Sequence, residues 1–210
     1  MKFKNRINNI FLRLYIKYFP VNQKTLWNLW ANVFIEDKEQ TTIHPWIDHA
    51  LNIIIDRKPN TTLEVGVGFG RNIIELRRRG FDINNTHGID LSVEMIKMAK
   101  SRLPDISSQL KVGNILNYSS VDKFDLVFVP FVFMHIKPDL LPTALNNVFT
   151  SARKDILIID EYNSISDSFE INKYTYAHDL NKLCTNQFKE FDLKSYKVYG
   201  KWQLLHFEKI

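Results

Sequence analysis

The stretch Leu63-Glu64-Val65-Gly66-Val67-Gly68-Phe69-Gly70-Arg71-Asn72 decides the fold. Apolar residues lead into three closely spaced glycines, and a helical pattern follows. That is how a strand turns into a helix at the ligand-binding edge of a doubly wound sheet. Glycines there allow a tight turn and let a ligand approach the backbone without interference from a Cβ. A dinucleotide loop would read G-x-G-x-x-G, seating a pyrophosphate on the helix N-terminus. Here the spacing is G-x-G-x-G, and Arg71 stands where the third glycine of that pattern would fall. Glu64 adds a carboxylate at the strand end. Taken alone, the loop is equally readable as a tight β–α turn that binds nothing.

Outward from this loop the chain alternates. Short β-rich apolar runs occupy 62–66, 86–90, 109–112, 125–130 and 155–160, with helical stretches at about 70–79, 92–102 and 139–150. Alternation of this kind builds a parallel sheet with crossover helices on both faces. After Asp160 come a polar stretch and a helix expected near 176–187. The runs 192–199 and 202–208, joined at Gly200-Lys201, read as a closing antiparallel hairpin. Ahead of the loop, helices are expected over 3–19, through Leu26–Phe34 and from about Trp46 to Ile55, the first ended by Pro20. The expected organisation is a helical extension over 1–58, serving as a lid or docking element, and a ligand-binding domain over 59–210. Trp27 and Trp30 lie three apart on one helical face, suited to a core or to a substrate lid.

Further carboxylate and amide positions fall at strand ends. Gly88-Ile89-Asp90-Leu91-Ser92 places Asp90 after the second strand, where it can accept both hydroxyl hydrogens of a ribose or cap the helix beginning at Ser92. The third strand ends in Val112-Gly113-Asn114-Ile115, and the fourth runs Phe124-Asp125-Leu126-Val127-Phe128-Val129-Pro130-Phe131.

Four ordered motifs, LEVGVGFGRN, HGIDLS, KVGNILN and FDLVFVPFVFMHI, make residues 61 to 160 resemble the class I S-adenosylmethionine-dependent methyltransferases. The resemblance implies a Rossmann-like α/β fold: a mostly parallel seven-stranded sheet with a C-terminal antiparallel hairpin. It also implies S-adenosylmethionine as cofactor. Glu64, Gly66, Gly68 and Gly70 would surround the methionine part, and Asp90 would hold the ribose. Leu91 and Met95 would pack near the adenine, and Asn114 and Ile115 would border its edge. Asn72, Val129 and Phe131, within the same motifs, would complete the cofactor side. Many relatives carry Asp where Asn114 stands; the amide oxygen can still accept from the adenine amino group.

Methyl transfer from a sulfonium is an in-line displacement in which the cofactor supplies the reactive carbon. The protein chiefly aligns the nucleophile and excludes water, and a general base is needed only for a poorly acidic hydroxyl. Candidate bases are His135 in the fourth-strand motif, Glu161 and Tyr162 after the fifth strand, and His178 and Asp179 in the expected helix. Each also has a structural reading, as a hydrogen-bonded support or a helix end. A finer resemblance, over HIKPDLLPTAL and DILIIDEYN, is to methylases associated with pseudaminic acid and related surface-sugar biosynthesis. The chain departs from that pattern at Glu161-Tyr162-Asn163-Ser164 and at Ala177-His178-Asp179. A small-molecule or sugar-linked acceptor in a polar pocket near Glu161, Tyr162 and His178 is therefore expected. A base-methylating [DN]PP[YF] run is replaced by Val129-Pro130-Phe131-Val132, which argues against a nucleic-acid acceptor. A binding module that keeps the cofactor without turnover is the non-enzymatic alternative.

Composition limits the remaining classes. Of 210 residues, 45% are hydrophobic and 24% charged, and no run reaches the length of a membrane span. Cys184 is the only cysteine, so neither an intrachain disulfide nor a CxxC metal site is expected. The net charge of +5 comes from the first 35 residues, which hold six of the 28 basic residues and no acidic one. Such a segment suits an anionic partner. Lys2, Arg6, Arg13 and Lys17 share one stripe of the expected first helix. That helix can dock on the domain or lie at an anionic membrane surface through residues 2–19. Arg13 and Lys17 interrupt its apolar stretch, which argues against a secretory signal. The expected location is cytoplasmic, with peripheral membrane contact as the sharper alternative.

Overall fold

Two-residue alternation over residues 126–129 of the fourth strand sends its side chains into two separate cores. Leu126 and Phe128 join one, and Val127 and Val129 the other. This is the period of a pleated strand buried on both faces. In the computed structural model, residues 21–120, 122–162 and 167–210 are described, apart from the side chains of Asn32 and Phe169. The helix expected over 3–19 and its membrane reading lie outside the described residues, as do Asn163 and Ser164.

The strands are β1 (Thr62–Val65), β2 (Thr86–Asp90), β3 (Leu110–Val112), β4 (Phe124–Pro130), β5 (Ala152–Glu161), β6 (Ser168–Asn172), β7 (Thr175–His178), β8 (Phe191–Tyr199) and β9 (Trp202–Lys209). Seven form one sheet in the order β3-β2-β1-β4-β5-β9-β8. β1 to β5 run parallel, and β9 pairs antiparallel with both β5 and β8. The doubly wound sheet with a closing hairpin is thus as expected. The chain leaves β1 in one direction, through β2 to β3, and resumes on the other side at β4. The crevice between β1 and β4 is the topological switch point where such sheets bind ligands.

Helices α1 (Gln23–Glu36), α2 (Lys38–Thr41) and α3 (Pro45–Arg57) precede the sheet. α4 (Arg71–Arg78), α5 (Val93–Arg102), α6 (Leu141–Ser151) and α7 (Leu180–Gln187) are interleaved with its strands. Ile47, Leu51 and Ile54 of α3, Ile73 and Leu76 of α4 and Ile96 of α5 pack on one face of the sheet. Leu145, Val148 and Phe149 of α6 and Cys184 of α7 cover the other, where Phe149 stacks on Phe188 at 3.8 Å between ring centres. Each fully buried aliphatic or aromatic side chain of this kind contributes about 1.5–3 kcal/mol.

One expectation is corrected. The helix placed near 176–187 begins at Leu180, and the residues before it form β7, paired antiparallel with β6 in a separate two-stranded sheet. Thr175-Tyr176-Ala177-His178 is β-branched and aromatic, and the hairpin satisfies its backbone. Asp179 then caps α7 by accepting from the Lys182 N–H at 3.1 Å. His178 therefore sits on a strand, and the polar stretch after β5 contains a hairpin.

Candidate functional site

A cavity of about 1110 Å³ opens at the switch point. One wall is the glycine loop. Gly66 has φ +75°, and a Cβ there would lie 2.5 Å from Val132 Cγ2, so the loop packs directly against the chain leaving β4. Gly68 has φ +54°, and a Cβ there would meet nothing within 4 Å, because it would stand in the space of the cavity. The loop is thus a cradle that a side chain would fill.

Asp90 closes the second wall. Its Oδ2 accepts from the Gly68 N–H at 2.9 Å and its Oδ1 from the Ser92 N–H at 2.8 Å. These bonds fix the carboxylate and leave each oxygen a further lone pair for a ligand on the cavity side. Burial raises its pKa, and the two N–H donors oppose that shift. Leu91, Met95, Gly113, Asn114 and Ile115 continue this wall. The Asn114 carboxamide oxygen accepts from the Leu116 N–H at 3.0 Å, which orients the side chain.

Behind the loop runs a polar relay. Arg71 Nε donates to Asn72 Oδ1 at 3.0 Å, and Asn72 Nδ2 donates to Glu64 Oε1 at 2.6 Å. Arg71 Nη1 also donates to the Gln40 carbonyl at 2.8 Å. Burial pushes the Glu64 carboxyl up to about 8, against the Asn72 bond and the Arg71 charge. Arg71 and Asn72 line the cavity, whereas Glu64, Gly70 and Val129 stand behind it. Arg71 places a cation beside the glycines. In the sequence it appeared only as a missing third glycine, yet its place in the loop was a visible signal.

α1 forms the roof. Ser92 Oγ donates to Asn28 Oδ1 at 2.7 Å, and Ala31 packs with Phe69 and Met95. Trp27 meets the His135 ring edge-on at 4.7 Å. On the β4 side, Phe131 holds a left-handed backbone at φ +58°, a conformation that costs a non-glycine residue about 1–3 kcal/mol and concentrates at functional sites. Its ring meets Trp202 edge-on at 4.9 Å, and Trp202 lies 5.9 Å from Trp46. Trp46 and Trp202 both line the cavity and gave no sign of it in the sequence. Their meeting depends on α3 approaching the start of β9.

The candidate bases separate. His135 lies on a one-turn helix, Phe133–His135, and lines the cavity. Glu161, Tyr162 and His178 do not line it. Glu161 is buried beneath Lys201, whose Nζ lies 3.4 Å from its Oε1. Tyr162 faces Tyr196 with ring centres 6.4 Å apart. His178 is fully buried: Ser168 Oγ lies 2.7 Å from its Nδ1, and its Nε2 is 3.0 and 3.1 Å from the carbonyls of Phe133 and Ile136. Those carbonyls accept from an Nε2–H, so His178 clamps the turn that carries His135. Asp160 holds the same turn from below, accepting from the Phe133 N–H at 2.8 Å, and burial raises its carboxyl to about 8. Sequence reading passed over Asp160 because an acid at a strand end has no local mark of burial.

Residues 62–155 match the family described as methyltransferase domain. With the strand order, the glycine cradle and the fixed Asp90, the match marks those residues as a methyltransferase domain, and the protein is an S-adenosylmethionine-dependent methyltransferase with S-adenosylmethionine as its cofactor. Among similar proteins, an uncharacterised methyltransferase of Alkaliphilus oremlandii (strain OhILAs) is 26% identical, over 83% of this chain and 92% of that one. The magnesium protoporphyrin IX methyltransferase of Synechocystis PCC 6803, solved with S-adenosylmethionine, shares the fold with a TM-score of 0.66 at 14% identity. That match covers 91% of this chain and 99% of that one. The N-methyltransferase NodS of Bradyrhizobium japonicum WM9, solved with S-adenosylhomocysteine, gives a TM-score of 0.61 at 13% identity, covering 87% and 98%. Among the described residues, no helix is long and apolar enough to cross a membrane.

Proposed function

We propose that the enzyme methylates a small-molecule or sugar-linked acceptor that shares one continuous cavity with the cofactor. The cavity carries this reading. Its volume of about 1110 Å³ exceeds the roughly 300–1,000 Å³ usual for a single ligand, so it has room for two. The cofactor end comprises Gly66, Gly68, Arg71, Asn72, Asp90, Leu91, Met95, Asn114, Ile115 and Phe131. Asp90 would hold the ribose hydroxyls, Arg71 the carboxylate of the methionine part, and Asn114 the adenine edge. Bound there, S-adenosylmethionine supplies an electrophilic methyl group. The chain positions it, shields it under α1 and aligns the acceptor.

The acceptor end is bounded by Trp27, Met134, His135, Ile136 and Tyr174, with Lys137 and Lys173 on its lining. Two lysines suit an acceptor whose body carries a carboxylate or phosphate, as acidic sugars do. The resemblance of HIKPDLLPTAL to surface-sugar methylases supports the same reading, and Lys137 belongs to that stretch. Two proteins of similar fold are described as methyltransferases of magnesium protoporphyrin IX and of a glycopeptide, which is compatible with a small or sugar-bearing acceptor here.

The test supplies the protein with methyl-tritiated S-adenosylmethionine together with fractionated cell extract. Label is expected in the low-molecular-weight polar fraction. Label confined to RNA or DNA would overturn the acceptor reading. Absence of calorimetric binding of both S-adenosylmethionine and S-adenosylhomocysteine would overturn the placement of the cofactor.

A further inference from the structure

The His135 ring is held in one orientation and one tautomer. Its Nδ1 lies 3.0 Å from the Tyr174 carbonyl, which can only accept, so the ring proton sits on Nδ1. Nε2 is then a bare lone pair. Among the described residues it has no hydrogen-bond partner, and it is not one of the shielded polar atoms. The ring lines the cavity, so that lone pair is open to it. Trp27 packs edge-on against the ring, while Asp160 and His178 fix the turn from behind. Beside it, Gln23 Nε2 donates to the His135 carbonyl at 3.0 Å, and Gln23 Oε1 is buried without a donor. Turning the amide over would set two carbonyl oxygens against each other, so this orientation is fixed. One wall of the acceptor end thus offers a hydrogen-bond acceptor that lacks a donor, His135 Nε2.

We propose that His135 is the general base of the reaction and that the acceptor it serves is a hydroxyl group. This rests on the methyl-transfer reading above. A hydroxyl brings the missing donor, and it is a poor nucleophile until a base takes its proton. An ammonium fits poorly, because Lys137 and Lys173 line the same end of the cavity. The carboxylates on its lining, Asp37, Glu39 and Asp90, belong to the α1–α2 and β2 walls. In the step, the acceptor oxygen forms a bond to the methyl carbon as the carbon–sulfur bond breaks. That electron pair stays on sulfur, and the hydroxyl proton passes to His135 Nε2. The products are a methyl ether, S-adenosylhomocysteine and an imidazolium, which loses its proton to water when the site opens.

The surroundings keep the base neutral beforehand. Burial pushes the His135 pKa down to about 4, with the Tyr174 bond pulling the other way. Lys137 and Lys173 line the same end of the cavity, and Asp160 lies beneath the turn with its carboxyl raised by burial to about 8. His178, also lowered by burial, is neutral as well.

Nitrogen-15 histidine spectra of the wild-type protein, assigned with His135→Asn, read the tautomer without any acceptor. A neutral Nδ1–H ring that stays unprotonated down to about pH 5 is expected; a proton on Nε2 would overturn the proposal. Methyl transfer is then measured against a panel of phenols, catechols, hexose phosphates and primary amines. The wild type is expected to methylate a hydroxyl compound. His135→Asn should lower kcat about 10²–10⁴-fold while calorimetric binding of S-adenosylhomocysteine stays within twofold. Methylation of the amines alone, or wild-type kcat in His135→Asn, would overturn it. Loss of cofactor binding by the wild type would refute the methyl-transfer reading instead, and the tautomer remains a separate measurement.

Discussion

Replacing Gly68 with alanine tests whether the glycine loop is a ligand cradle or only a turn, because Gly80 provides a matched control. Both residues have a left-handed backbone, at φ +54° and +85°, and a Cβ at either position meets nothing within 4 Å. An alanine pays the same backbone strain at each, about 1–2 kcal/mol. For a chain of this size that lowers Tm by roughly 2–8 °C. The two positions differ in what the open space is for. At Gly80, which follows α4 and does not line the cavity, it is solvent. At Gly68, beside the N–H that holds Asp90 at 2.9 Å, it is the cavity. Gly68→Ala and Gly80→Ala should therefore lose similar stability by thermal melting. In calorimetry, Gly80→Ala should bind S-adenosylhomocysteine like the wild type. Gly68→Ala should bind at least about tenfold more weakly, or 1.4 kcal/mol. Equal affinities in the two variants would refute the reading of this loop as the cofactor cradle.

Asp90→Ala removes the carboxylate proposed to hold the ribose and leaves the Gly68 and Ser92 N–H groups unpaired. Cofactor affinity should fall about 10–100-fold with a stability loss of about 1–3 kcal/mol, and unchanged affinity in titration would sink the assignment. The raised carboxyl of Glu64, at about 8, gives a signed pH effect. The native state keeps a proton that the unfolded chain gives up near pH 4.5. The stability associated with that proton is full below pH 4.5 and is lost as pH rises through about 8. Glu64→Gln should flatten this part of the pH dependence in urea unfolding of the ligand-free protein, and an unaltered slope would count against the buried, protonated acid. His178→Ala leaves two buried carbonyls without their donor and opens a void, costing about 2–4 kcal/mol. It should also broaden the His135 signal in nitrogen-15 spectra, whereas a sharp, unshifted His135 would deny the clamp.

Where the residues act through near neighbours in the chain, the sequence was sufficient. The glycine spacing, Asp90 at the end of β2 and the two-residue alternation of β4 depend on local backbone geometry, and the sheet was readable from them. His178 shows the opposite case. Read along the chain, its segment resembled the start of a helix. Pairing of Thr175–His178 with Ser168–Asn172 made it a strand and turned the imidazole toward the carbonyls of Phe133 and Ile136. Glu161 ends β5 and Tyr162 follows it at the expected edge, but the antiparallel β9 and its turn at Lys201 lie against them. Long-range pairing decided which polar groups at that edge stayed open.

The sequence by itself therefore determined the class of sheet, its switch point and the cradle, because glycine conformations and strand periods are set by a few consecutive residues. Only the tertiary structure decided what lines the far end of the cavity. His135 faces the cavity because Trp27, Tyr174, Asp160 and His178 converge on one turn from four separate elements. Burial and hydrogen bonding, which distinguish a base from a clamp, exist only once those elements meet.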